Sequence, residues 1–285
     1  MKKRMIAAAM SIFWITQPVF SAYAQGLSVS LEETESFAEK VRSVSENYTT
    51  NGQEEKIIDG AEELNSYGIL VDYLEDACID GEKVVYTYNL PNNVESVIAM
   101  SELADGSKKI DITEGNLHNE LIITENQQLY LDGFEVKTTE NVIEPRAGSS
   151  TYDVETCPYG SASDYTVYKG VETETNAEIG DYIENVTISG LALTISILAG
   201  IYVPVAGVQA SIAYGLAQAL ITSGRDNNPK STNLSWKIKR YYYKTGNFAV
   251  SGTLCVQKMV GEFYPDADYE GDVVNKTYYN CKEYY

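Results

Sequence analysis

The sequence predicts an α+β fold in two successive parts: a small N-terminal domain of helices and a strand meander, then a hydrophobic helical hairpin packed with an antiparallel β-sheet. Three observations predict it. Apolar residues recur at helical spacing near the N-terminus, and short alternating runs separated by turn clusters follow from Lys83. Further on, residues 185–224 form a stretch of 40 without one charged side chain.

The chain has 285 residues, but the first 24 read as an export signal and not as fold. Lys2, Lys3 and Arg4 form a positive start, Met5 to Phe20 is apolar, and Ala22-Tyr23-Ala24 is a small-x-small cleavage site. Cleavage after Ala24 would start the mature protein at Gln25; an uncleaved anchor helix is the alternative. The expected location is secreted and extracellular.

Charge divides what remains. Residues 25–146 carry 26 acids and 8 bases, whereas residues 147–285 carry 15 and 10. Between them lies Glu144-Pro145-Arg146-Ala147-Gly148-Ser149-Ser150, a polar linker with an isolated arginine. It suits an ordinary interdomain connection, or a processing site at Arg146 that would make residues 25–146 an acidic leader or pro-domain.

The N-terminal half opens with a capping box, Ser30-Leu-Glu-Glu33, and Phe37, Val41 and Val44 follow at helical spacing. A second helix is expected over roughly Glu54 to Ser66. Strands follow at Val84–Tyr88, Val94–Met100, Lys109–Ile112, Leu121–Thr124 and Leu129–Leu131, between turn clusters such as Pro91-Asn-Asn and Asp132-Gly.

The uncharged stretch reads as two arms, Val186–Val203 and Val205–Ser223, turning near Pro204 and stopping at Gly224. Thr175-Asn-Ala-Glu178 is the expected cap of its approach. Small residues repeat at intervals of four, as in Ser196/Gly200, Ser211/Gly215 and Gly215/Ala219, a spacing that lets helices approach closely. Three arrangements fit. The hairpin could be buried, with Ile212, Leu216 and Leu220 inward; it could enter a target membrane; or alternation at Leu191, Leu193, Ile195 and Ile197 could make it a β-hairpin.

After it the charge balance reverses. Ser235-Trp-Lys-Ile-Lys-Arg-Tyr-Tyr-Tyr-Lys244 alternates cations with aromatics, and Phe248–Val256 is expected to return as the second strand of a hairpin. Trp236, Lys237, Lys239, Arg240, Tyr241 and Lys244 are therefore the candidate membrane-binding residues, since aromatics and cations suit an anionic lipid surface. A solvated sheet face with aromatic cross-strand pairs is the plainer alternative.

Composition excludes much else. A net charge of −20 disfavours nucleic acid as a partner, because such binding neutralises phosphates with Lys and Arg. One histidine, His118, without a nearby nucleophile argues against an enzyme, and no cofactor or metal is expected. Asp266-Ala-Asp268-Tyr-Glu270-Gly-Asp272 resembles the start of a calcium loop, but Thr277 stands where the closing Glu belongs. Of four cysteines, Cys78 lies before the linker, while Cys157, Cys255 and Cys281 lie after it. In an oxidising compartment Cys157 is expected to bridge Cys255 or Cys281.

The signal, the acidic leader, the Arg146-Ala-Gly junction, Cys157-Pro-Tyr-Gly160, the small-residue hairpin and the Tyr-rich final strands together resemble the large secreted bacteriocins of the geobacillin type from Gram-positive bacteria. The resemblance covers mainly residues 147–285. It implies antibacterial activity against related cells and carries no catalytic residues. The expected function is a secreted, membrane-active, bacteriocin-like protein whose partners are an anionic bacterial membrane and an immunity protein. The alternative is a secreted, non-enzymatic binding or adhesion module with a buried helical hairpin.

Overall fold

The computed structural model describes residues 31–45, 53–91, 93–126, 128–138, 151–155, 157, 160–201, 212–245 and 254–283. The predicted processing positions, Ala24 and Arg146, lie outside them. The fold is α+β: among the described residues, four helices accompany two antiparallel sheets.

Helices α1 (Leu31–Ser45) and α2 (Gln53–Ser66) come first. Each buries an apolar stripe at helical spacing: Phe37 and Val41 from the first, Ile57, Ala61 and Leu64 from the second. They cover β1 (Leu74–Asp80) and α2 also reaches β2 (Lys83–Leu90). The meander continues through β3 (Val94–Glu102), β4 (Lys108–Glu114), β5 (Leu117–Ile123), β6 (Leu129–Leu131) and β7 (Phe134–Glu135). All seven pair in sequence order. Alternation decides the faces: Tyr86, Tyr88, Ile98, Ile110, Ile112, Leu121 and Leu131 point into the core. Lys83, Lys109, Asp111 and Glu120 form ion pairs on the opposite, partly solvated face.

One acid of α2 breaks this pattern. Glu62 is only 8 % exposed, and its Oε2 has no hydrogen-bond partner. Burial, with the Asp59 carboxylate adding to it, pushes Glu62 from the ordinary 4.5 up to about 7. An acid that holds its proton more tightly when folded contributes fully below its unfolded value and loses that contribution as pH rises through its folded value. Stability should therefore fall by on the order of 3 kcal/mol between pH 4.5 and pH 8 through this group. Urea unfolding across that range should show a slope that Glu62→Gln flattens.

The second sheet has six strands. Their order is β8 (Lys137–Thr138), β10 (Val167–Glu178), β11 (Asn233–Tyr242), β12 (Leu254–Tyr264), β13 (Val274–Glu283) and β9 (Thr151–Val154). Its first edge is thus supplied from before the linker, since Thr138 and Lys137 pair with Ala177 and Glu178.

Between the sheets lies the uncharged stretch, as α3 (Ile188–Ala199) and α4 (Ile212–Asn227). Helix α3 touches β4 and β5, while α4 touches β12 and β13, so the hairpin is the middle layer. A single hydrophobic core runs from Phe37 to Tyr278 through both halves. Ile212, Leu216 and Leu220 face that core, as the buried arrangement requires of them; Val205 and Val208, which it also places inward, lie outside the described residues. No described helix is long and apolar enough to cross a membrane.

Several expectations need correction. The alternation at Leu191–Ile197 does not make a β-hairpin; Leu191, Leu193 and Ile195 are buried in a helix covered on all sides from Ser189 to Ser196. Thr175–Glu178 caps nothing, because it belongs to β10; the cap is Thr187, whose Oγ1 accepts from the Gly190 amide at 3.0 Å. Gly200, in the left-handed region at φ 64°, ends α3. Gly224 does not end α4, which continues to Asn227. A Cβ there would meet Ile183 Cγ2 at 2.8 Å, so glycine serves close approach. Gly215 faces outward with open space around it, so its small-residue spacing does not form the helix contact. Of the return strand expected over Phe248–Val256, the described part, from Leu254, belongs to β12, which runs on to Tyr264; residues 248–253 lie outside the described residues.

Candidate functional site

The basic, aromatic strand β11 is divided by the strand period of two. Leu234, Trp236 and Ile238 are buried, with Trp236 2 % exposed and stacked on Phe263 at 6.4 Å between ring centroids. Trp236 is therefore a core residue and is not available to a lipid surface in this fold. Arg240 shares its parity. Lys237, Lys239 and Tyr241 occupy the other face, so the six candidate residues do not form one patch.

On that outer face, cross-strand neighbours balance the cations. Lys237 stands between Glu174 and Glu262 in register and approaches the Glu174 carboxylate at 3.3 Å. Its ammonium also lies 3.9 Å from the Tyr269 ring centroid. Lys239 is in register with Glu172 and Val260. Tyr241 packs on Tyr168 and beneath Lys258. Lys244 bonds Asp164 at 3.0 Å; that hydrogen bond raises the lysine and lowers the aspartate. Reversing the central charge, Lys237→Glu, would align three acids across strands. Thermal unfolding at low salt should register a loss of about 0.5–1 kcal/mol that shrinks as salt is added.

A second arrangement is one that sequence reasoning missed. The first amides of a helix have no partners within it. At α3, Glu114 of β4 accepts from Ile188 N at 2.7 Å through Oε2 and from Ser189 N at 3.0 Å through Oε1. Asn119 of β5 accepts from Thr187 N at 2.7 Å, and donates to Asp132 at 2.7 Å, which fixes which way its amide points. Glu114 is 7 % exposed, Asn119 fully buried. A carboxylate at this end of a helix also meets the positive pole of the helix dipole. Further along, Ser189 and Ser96 hydroxyls lie 3.2 Å apart, and Ser196 Oγ donates to the Tyr67 carbonyl at 2.7 Å. An open cleft of about 470 Å³ runs over this junction, lined by Val94, Val97, Glu114, Leu117, Ile188 and Arg225 among others.

Compared with known proteins, the chain matches no family model, and no curated protein or solved structure is significantly similar to it. Its own geometry is what bears on function.

No convergent metal-ligand group occurs among the described residues. In the calcium-like loop, Asp266 is committed to structure. Its Oδ1 accepts from the Ala267 amide and the Ser231 hydroxyl, while Oδ2 accepts from Asn228. Asp272 accepts from Asn227 instead of turning toward it. His118 Nδ1 lies 3.3 Å from Thr113 Oγ1 on the exposed face of the first sheet.

Cys78 and Cys157 are not joined to each other. The side chains of Cys255 and Cys281 lie outside the described residues, and with them the predicted bridge. Burial raises Tyr279, and the neighbouring Cys157 adds to the shift. Tyr279 precedes Cys281 by two positions on β13, so Cys157 sits beside the strand that carries one of its expected partners.

Proposed function

We propose that this is a secreted, non-enzymatic, membrane-active antibacterial protein, held in a stored form in which the α3/α4 hairpin is kept from its target. The observation that carries the reading is the capped, enclosed hairpin. An apolar stretch without a charge of its own has its helix start satisfied by a carboxylate of the acidic half. Under this reading the acidic half, residues 25–146, is a leader or pro-domain, with processing at Ala24 and Arg146. The target is an anionic bacterial membrane, and a producing cell needs an immunity protein.

Gly215 supplies a clean test, because its exposed position accepts a side chain without disturbing the fold. Gly215→Lys should leave the melting temperature of the folded protein nearly unchanged. In lipid it would place a cation within the second arm, at a cost of roughly 2.5–3.5 kcal/mol. Once the two halves are separated, the wild-type C-terminal piece should release dye from anionic vesicles, and the variant should bind them without release. Equal release from both would mean that the hairpin does not insert.

The second reading is a secreted binding or adhesion module whose hairpin never leaves the core. Burial of Trp236 and the pairing of Lys237 with Glu174 favour it. No dye release from the separated piece, with retained attachment to cells or surfaces, would support that reading.

A further inference from the structure

Several features of the molecule lead nowhere. In the 266–272 turn, Asp266 and Asp272 are taken up by Ser231, Asn228 and Asn227. The edge of β10 beyond its short pairing with β8 has no identifiable occupant among the described residues. The contact between α3 and the first sheet goes further.

Here the bonding is directional and one-sided. Thr187, Ile188 and Ser189 each give their backbone amide to a side chain 68 to 75 positions earlier in the chain. The stretch 185–224 contains no acid that could replace Glu114 at the helix start. Apart from the Thr187 hydroxyl, which serves only Gly190, every side-chain acceptor here comes from β4 or β5. The receiving groups are held independently of the helix: Asp132 orients Asn119, and Glu114 continues the buried parity of Ile110 and Ile112. None of these contacts runs through the linker. The cleft between Val94, Leu117 and Ile188 opens beside the carboxylate, so the junction can be reached from solution.

We infer that Glu114 and Asn119 form a latch through which the acidic half holds α3 non-covalently, so that cutting the linker alone does not free the hairpin. Release then requires a second event that parts α3 from β4 and β5. The inference rests on the stored-form reading only for its purpose; the hold itself can be measured without any membrane.

The test uses the full chain with a specific protease site inserted between Thr138 and Thr151. Cut wild-type protein should elute from a sizing column as one species containing both pieces. Glu114→Ala, cut in the same way, should separate on dilution, with a dissociation constant raised about 100-fold. Glu114→Gln retains one acceptor and guards against a variant that fails to fold; it should raise the constant about tenfold. In uncut protein, hydrogen exchange at the Ile188 and Ser189 amides should accelerate in both variants. Spontaneous separation of cut wild type would overturn the latch, as would a cut Glu114→Ala pair as tight as wild type. Dye release on the same samples separates the two ideas. Pieces that part as described but leave anionic vesicles intact support the latch and remove the membrane function. Release by a pair that stays associated overturns the latch.

Discussion

Trp236→Ala should destabilise the protein by about 3–5 kcal/mol, the range for deleting a large aromatic from a packed core. The indole is buried in the shared core and stacks on Phe263. Partial collapse around the vacancy would place the effect at the low end; retention of the cavity would place it higher. Denaturant unfolding followed by circular dichroism would give the value. An aromatic anchor on a solvated face would lose only about 0.5 kcal/mol on the same change. A small measured loss would therefore contradict the burial of Trp236 in the core.

The second large effect belongs to Glu114. Truncation to alanine removes both acceptors of the Ile188 and Ser189 amides. Each buried donor left without a partner costs about 1–3 kcal/mol. Water entering from the neighbouring cleft would recover part of this, so a total of about 2–4 kcal/mol is expected. Glu114→Gln should cost about half as much, since its amide offers one oxygen and turns a donor toward the other N–H. Equilibrium unfolding of the three proteins would check the ranking. Equal stability of wild type and Glu114→Ala would mean that α3 finds its cap elsewhere.

Much of the fold is legible in the residue pattern because local signals agree with the final packing. Helix α1 begins at Leu31, directly after the serine of the Ser30-Leu-Glu-Glu33 sequence, and the runs from Val84 to Leu131 became five of the seven meander strands. Strand β1 escaped notice because Glu75, Asp76 and Asp80 interrupt its apolar residues. Strand β10 escaped because Lys, Glu and Thr fill a strand whose outer face is solvated. Its threonines also imitate a helix cap. The basic strand was found, but composition cannot assign its two faces: that needs the register to Glu174 and Glu262. Glu114 carried a faint signal, a carboxylate on the same parity as Ile110 and Ile112. What it serves lies 74 residues later in the chain, beyond the reach of any local pattern.

The position of the latch residues has a consequence for biogenesis. Chains fold broadly in the order in which they emerge, N-terminal units first. Strands β1 to β7 end at Glu135, well before Asn185 begins the uncharged stretch. By the time the uncharged stretch leaves the ribosome, the first sheet that covers one side of it is already complete, whereas β12 and β13, which cover the other, are still to come. Moving the acidic half to the C-terminus by circular permutation would keep every native contact while reversing that schedule. The permuted protein should refold to the same structure when dilute, but accumulate as insoluble material during synthesis.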